Sequence, residues 1–319
     1  MISIRTSIFI IFAALFSVGA SFAEVQGFND EDFFVDVLWR KAMSVEETKL
    51  PTVALVLGGG GARGFAHIGV LHVFQKEQIP INLVVGTSIG AIAGALYCTG
   101  VSFEHLAEDI KDFDVKDISN FSYPSLLRMF LTEHLLSNEK IENFINEKIG
   151  NITFDRLQTP LVCVATDLIT GERILLREGN VAFAARASAT VPGIFQPVEY
   201  MQRYLIDGGL SENVSVSVAK LFKVDVIIAV SVAADITKNN ISNVFLTLMQ
   251  AIYIQGKSLD QHNLAMADIV IRPDVGDLNA TNFAGAYKAI DKGYKAAEES
   301  IKEVKKVIIG KISERFLIE

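Results

Sequence analysis

PTVALVLGGGGARGFAHIGVLHVFQ, residues 51–75, is the stretch on which the fold turns. Thr52 to Leu57 is a short β-branched, apolar run without polar alternation, the pattern of a strand buried on both faces. It ends in Gly58-Gly59-Gly60-Gly61-Ala62-Arg63-Gly64, and Phe65 to Gln78 then reads as a helix. A second unit of the same kind follows. Asn82 to Val85 is another buried strand, running into Gly86-Thr87-Ser88-Ile89-Gly90, and Ile89 to Gly100 is an Ala-rich helix stopped by Gly100.

Further along the chain the alternation continues. The pattern predicts helices over 102–112 and 138–149, strands over 160–166 and 173–177 around the turn Thr170-Gly171, and a short helix over 180–187. A strand ends through Leu205-Ile206 at Asp207, and a helix over 215–222 leads to a long apolar strand over 224–232. A helix over 241–261, a strand over 267–273 and a charged helix over 283–308 complete the series. Strands alternating with helices imply an α/β fold: a mostly parallel central sheet with helices on both faces, in three layers. No repeat or low-complexity linker interrupts it, so residues 51–310 are expected to form one domain, followed by a tail at 311–319. Residues 24–50 carry acids and aromatics without a clean period and read as an entry arm that packs on the body.

Composition narrows the function. The 319 residues are 50% hydrophobic and 21% charged, which is globular rather than disordered. The net charge of −8, with no basic block, speaks against a nucleic-acid partner. Cys98 and Cys163 are too few for a disulfide scaffold or a four-Cys zinc site, and their apolar contexts suggest two separate buried thiols. Mean hydropathy is high, at +0.35, partly because of the first residues. There, Arg5, an apolar run from Ile8 to Val18 and the small-x-small sequence Ser21-Phe22-Ala23 make residues 1–23 a secretory signal peptide. The run is too short to span a bilayer, which takes roughly 20 residues. A soluble, exported product is expected, periplasmic or secreted, one unit more negative than the whole chain.

Two segments carry chemistry. The glycine loop leaves backbone N–H groups uncovered at a helix N-terminus, where they can hold a phosphate or a developing oxyanion. A dinucleotide site would need an acid at the end of the second strand, which instead runs into Gly86, and a P-loop would need Gly-Lys-Ser/Thr where Arg63-Gly64-Phe65 stands. The G-x-S-x-G run Gly86, Ser88, Gly90 has the strand-before, helix-after context of a nucleophile elbow, which lifts the Ser88 hydroxyl out of the backbone. That hydroxyl needs a base. Among His67, His72, His105, His134 and His262 only His262 has a suitable place in the chain, and it sits near the end of a helical stretch. His67 reads as a packing or hydrogen-bonding residue. Asp207, followed by Gly208 and Gly209, is a carboxylate at a strand end that could serve directly.

Four blocks in order, GGGGARG at 58–64, GTSIG at 86–90, RASATVPGIFQPV at 186–198 and DGG at 207–209, resemble the patatin-like phospholipase family in its bacterial, exported form. The segments ATDLITGE at 165–172 and ADIVIRPDVGDLNATNF at 267–283 look similar as well. The resemblance implies a carboxylic ester hydrolase of lipids, of phospholipase A or lysophospholipase type, working through a Ser–Asp dyad. Ser88 would be the nucleophile, Asp207 the general base, and Gly59, Gly60 and Gly61 the oxyanion loop, the GxGxxG spacing being Gly59, Gly61 and Gly64. Ser188, Pro192 and Pro197 in the third block would shape a loop. No cofactor or metal is implied. A patatin-fold protein that binds lipid or a partner without hydrolysis is the other reading, which the intact Ser88, Asp207 and glycine loop oppose. Phe121, Tyr123, Leu126, Leu127, Met129, Phe130 and Leu131 form an apolar stretch that reads either as a cap on an acyl pocket or membrane, or as core. The negative charge disfavours anionic bilayers, so any membrane contact would be apolar and transient. Nothing in the sequence sets an oligomeric state.

Overall fold

The computed structural model describes residues 30–103, 135–233, 244–276, 278 and 287–318. Two compact units divide the chain, residues 51–304 on one side and residues up to 50 together with those from 305 on the other.

The larger unit is organised by β1 (Val53–Leu57), every residue of which is buried. β1 lies between β2 (Leu83–Thr87) and β7 (Val226–Val230), parallel to both. β3 (Leu161–Asp167) extends the parallel array beyond β2, and β8 (Ile269–Ile271) extends it beyond β7. The rest of the sheet is antiparallel. β4 (Arg173–Leu176) forms a hairpin with β3, and β5 (Val198–Tyr200) forms one with β6 (Arg203–Asp207), which itself runs antiparallel to β3.

The two faces of the sheet explain the unbroken apolar runs of its parallel strands. On one face Ala54, Val56, Leu83, Val85, Val162 and Val164 form a cluster with Val216, Val218 and Ala219 of the short helix Val216–Leu221. On the other, a helix at Ile89–Cys98 packs over Leu57, Val84 and Leu161, which a Cβ on its Gly94 would touch. A strand covered on both sides has no polar face to show, hence no alternation.

The expected mostly parallel, three-layer α/β arrangement is the one observed. Strands at 161–167 and 173–176 and helices at 139–149 and 181–188 stand where the pattern predicts them. The helical stretch after the glycine loop begins as a 3-10 turn, Gly61–Phe65, before the α-helix Ala66–Lys76. Strand β5 and the turn that joins it to β6 carry no sequence signal. Met201 and Gln202 both sit at positive φ, 46° and 62°, as a tight hairpin turn requires, but without the Asn-Gly that usually announces one.

In the smaller unit the arm contains a helix, Asp30–Ala42. Val35, Trp39 and Ala42 share its buried face, a helical spacing that Phe33 and Val37 on exposed positions hide from a periodicity reading. Lys305 pairs with Asp36 at 3.0 Å and lies over the Trp39 ring, and Arg315 donates to the Leu50 carbonyl at 2.6 Å. Residues 1–23, expected to be a signal peptide, the apolar stretch Phe121 to Leu131, and His105 and His134 lie outside the described residues.

Candidate active site

The register of β3 explains how two distant residues meet. β2 pairs with β3 up to Thr87 opposite Val164, and β6 pairs with β3 from Leu205 opposite Asp167 down to Asp207 opposite Ala165. β4 takes the other edge of β3 over the same residues, so β2 and β6 occupy one edge, end to end. β2 runs toward the junction and β6 runs toward it from the opposite direction. Their last residues abut, and the next residue after Thr87 is Ser88.

At that junction the Ser88 hydroxyl donates to Asp207 Oδ2 at 2.6 Å. Ser88 has φ 56° and ψ −126°, a strained backbone for a non-glycine residue, at the mouth of the helix Ile89–Cys98. The elbow leaves no room beside it: a Cβ on Gly90 would stand 2.1 Å from the Leu57 carbonyl oxygen, and one on Gly86 2.5 Å from Ala91 Cα. The partial positive charge of the helix N-terminus faces Ser88 and favours its oxygen as an anion.

Asp207 is buried and accepts a second hydrogen bond on Oδ1 from the Gly209 N–H at 2.8 Å. Burial pushes its carboxyl up to about 6, while the Ser88 hydroxyl and the Gly209 N–H hold it down. The result is a carboxylate basic enough to take a proton yet ionised at neutral pH. Its backbone is held as firmly. The Asp207 N–H donates to the Thr190 carbonyl at 2.8 Å, and its carbonyl accepts from Thr166 Oγ1 at 3.0 Å.

The third sequence block supplies more than loop shape. Ser188 Oγ accepts from the Ser88 N–H at 2.9 Å and donates to the Val164 carbonyl at 2.5 Å, tying the elbow to β3. The sequence marks Ser188 only as a loop-shaping member of its block and does not mark Thr190 at all, because a small polar residue in or just after a short Ala-rich helix has no signature of its own.

The glycine loop runs against the elbow: a Cβ on Gly59 would lie 3.1 Å from Ser88 Cβ. Its N–H groups divide. Gly58 donates to Val230 at 3.1 Å and Gly59 to Asn213 at 3.2 Å, both backbone carbonyls. The expectation that Gly59 is an oxyanion donor is therefore corrected. Its proton is committed to the fold, and Gly59 matters for its close backbone approach. Gly60 and Gly61 donate to no backbone carbonyl among the described residues. Gly61 has φ 57°, and Arg63 Nε donates to the Gly60 carbonyl at 3.3 Å, turning that oxygen back into the loop. His67 is fully buried and its Nε2 bonds the Gly58 carbonyl at 2.7 Å, which makes it a support of the loop. Burial pushes the His67 imidazole down to about 4, so it stays neutral.

His262 is exposed on the helix Val244–Leu264 and bonds neither Ser88 nor Asp207. His72 pairs with the Tyr294 hydroxyl. Among the described residues no group of His, Cys, Asp and Glu could hold a metal ion. Cys98 and Cys163 are both free and buried, and burial pushes the thiol of each well up. A cleft of about 610 Å³ opens at the amino ends of the parallel strands, beside Thr52, Asn82, Leu83 and Pro160. It is at the opposite end of the sheet from Ser88, where β1 to β3 begin, and the dyad does not touch it.

Comparison with known proteins gives the family of the chain. The family model for patatin-like phospholipases matches residues 55–220, more than half of the chain. An uncharacterized NTE family protein of Mycobacterium tuberculosis is 33% identical over 190 residues, covering 60% of this chain and 51% of that protein. Lysophospholipase NTE1 of Chaetomium globosum is 34% identical over 189 residues, 57% of this chain and 12% of that protein. The chain thus spans about half or less of the length of these curated relatives. Among solved structures, VipD from Legionella pneumophila superposes with a TM-score of 0.48 at 14% identity, covering 79% of this chain and 67% of that one. The matched segment reaches from β1 through the glycine loop, the elbow and the Asp207 turn, and on that evidence the chain belongs to the patatin-like phospholipase family.

Proposed function

We propose that this protein is a serine hydrolase of lipid acyl esters, of phospholipase A or lysophospholipase type, acting through Ser88 and Asp207. The observation that carries the reading is the 2.6 Å hydrogen bond from a strained elbow serine to a buried carboxylate, with no histidine between them. Asp207 takes the Ser88 proton as the oxygen attacks the ester carbonyl. The carbonyl oxygen becomes an oxyanion, for which the N–H groups of Gly60 and Gly61 are the available donors, each worth about 3 kcal/mol in the transition state. Asp207 returns its proton to the leaving alcohol, and the acyl group remains on Ser88. Water then gives a proton to Asp207, attacks the acyl carbon and releases the fatty acid, and the proton returns to Ser88.

Lipid as the substrate class rests on family membership and on the name of the Chaetomium relative, a lysophospholipase. A fluorophosphonate probe tests the core of the reading. Labelling at Ser88, with release of fatty acid from lysophospholipid or diacyl phospholipid, is expected. An unlabelled protein that still binds lipid would leave the non-catalytic alternative standing.

We also propose export, on residues 1–23 alone. Fractionation and N-terminal sequencing should find a chain beginning at Glu24 outside the cytoplasm. A cytoplasmic protein that keeps Met1 would overturn this part without touching the chemistry.

A further inference from the structure

We propose that Asn213 and Asp260 form a clamp that sets the glycine loop at the level of Ser88, and that both are positioning residues for ester hydrolysis. The inference rests on the reading of Ser88 and Asp207 as a hydrolytic dyad.

A loop of glycines has no side chains with which to pack, so its N–H groups point where its backbone anchors direct them. One such anchor is the Gly59 N–H, which donates to the Asn213 carbonyl at 3.2 Å. Asn213 also fills the space beside the loop. Its Oδ1 would lie 2.5 Å from a Cβ on Gly59 and 3.2 Å from a Cβ on Gly209. The residue that receives the loop is therefore wedged against the turn that presents Asp207, directly after the short helix Gly209–Glu212. One side chain touches both halves of the candidate site.

Asn213 is in turn held from behind. Its Nδ2 donates to Asp260 Oδ2 at 3.0 Å, and the Val214 N–H donates to Asp260 Oδ1 at 3.1 Å. Asp260 is buried on the helix Val244–Leu264, and among the described residues no cation pairs with it. A buried carboxylate without a cation is costly unless each oxygen has a donor to satisfy. Here each oxygen has one, and the two donors are consecutive groups of the segment that carries Asn213. An amide at 260 could accept from one donor but would present a second N–H to the other. An apolar residue would leave both donors unsatisfied. The carboxylate fits this role and no simpler one: it fixes the side chain and the backbone of the same segment together.

Reaction geometry is sensitive to such support. A displacement of about 1 Å at the reacting atoms can cost on the order of 100-fold in rate. Because the clamp acts on donors that bond an oxyanion, its loss should weaken transition-state binding and leave ground-state binding alone.

The test uses the full chain with Asp260→Asn and, separately, Asn213→Ala, which keeps the carbonyl that receives the Gly59 N–H. For each, kcat and KM on a soluble ester, the affinity for a trifluoromethyl ketone that forms a tetrahedral adduct on serine, and the affinity for a non-reacting ether analogue are measured. The clamp predicts a fall in kcat of about 10- to 100-fold with KM within about threefold. Ketone affinity should fall by the same factor as kcat/KM, and ether affinity should hold. The double variant should be no worse than the poorer single, since both act through one contact. A folded variant with unchanged kcat, or one in which only KM rises, overturns the clamp. If Asp260→Asn does not fold, Asn213→Ala decides alone by the same readouts. An unmutated chain without hydrolysis or fluorophosphonate labelling would remove the dyad reading itself, whereas an active parent with indifferent variants removes only the clamp.

Discussion

The parallel and antiparallel parts of the sheet are built on different terms, and the candidate site needs one residue from each. β1, β2, β3 and β7 are buried along their whole length, and Ser88, the proposed nucleophile, follows the end of one of them. β4, β5 and β6 are partly open to solvent, and Asp207, the proposed base, sits at the end of β6. The parallel part holds Ser88 through packing, a glycine-relieved elbow and a helix N-terminus. The antiparallel part holds Asp207 through hydrogen bonds to Thr190, Thr166 and Gly209. A hydrophobic frame makes a strained nucleophile affordable, and a polar, hydrogen-bonded edge keeps a buried carboxylate ionisable. β3 belongs to both and sets the distance between them.

The comparison can be broken most directly at the dyad. Ser88→Ala and Asp207→Asn should each lower ester hydrolysis by on the order of 10³-fold or more with the fold retained, and the double variant should be no worse, because the two act as a unit. His262→Ala should leave the rate within about twofold of the parent, given its exposed place on the helix. A His262 variant as inactive as the Ser88 variant would remove the antiparallel part from the chemistry.

The ionisation of Asp207 sharpens the contrast. A general base must be deprotonated, and burial has pushed this carboxyl up to about 6. Below that pH, kcat/KM should fall about tenfold per unit, with one limb in the pH–rate profile. A profile flat down to pH 4 would mean that the carboxyl is not so buried in solution.

The same shift has an opposite face in stability. Asp207 is raised in the folded state from an ordinary value of 3.8. Between pH 4 and 6 the folded chain binds more protons than the unfolded one, so stability falls as pH rises and the full cost is present above 6. Two units correspond to about 3 kcal/mol. Asp207→Asn should therefore be more stable than the parent by about 1–3 kcal/mol at pH 7.5 and by little at pH 4, read from denaturant or thermal unfolding at both values. A difference that does not change with pH would show that the carboxyl pays no desolvation penalty.

The smallest expected effect lies at the β5–β6 turn. Met201 and Gln202 both occupy the left-handed region, which costs L side chains energy. Replacing the pair by Asn-Gly should raise stability by roughly 0.5–1 kcal/mol and leave kcat unchanged. A gain in kcat would indicate that the antiparallel part limits the rate through its own motion.

Much of this molecule is legible before any coordinates. A strand covered on both faces has to be apolar throughout, so β1, β2, β3 and β7 announce themselves. An elbow serine has to be flanked by small residues, so Gly86 and Gly90 mark Ser88. A helix stop and a glycine loop are local matters, and local sequence carries them. What the sequence leaves open is non-local. The helix Asp30–Ala42 is obscured because apolar residues sit on its exposed face as well as its buried one. β5 depends on a turn with no preferred residues. Ser188, Thr190, Asn213 and Asp260 are ordinary polar residues until tertiary contacts give each its partner. The donors of the glycine loop could not be assigned either, since which of four N–H groups are spent on Val230 and Asn213 depends on strands far away in the chain.

The amino-acid order by itself determined the layers, the parallel core, the elbow and its serine, because each rests on short-range sterics or on the periodicity of burial. Only the tertiary structure decided that Ser88 faces Asp207. The two are 119 residues apart in sequence, and their meeting requires β2 and β6 to end against the same edge of β3; register across a sheet is a property of pairs of strands that no single strand encodes.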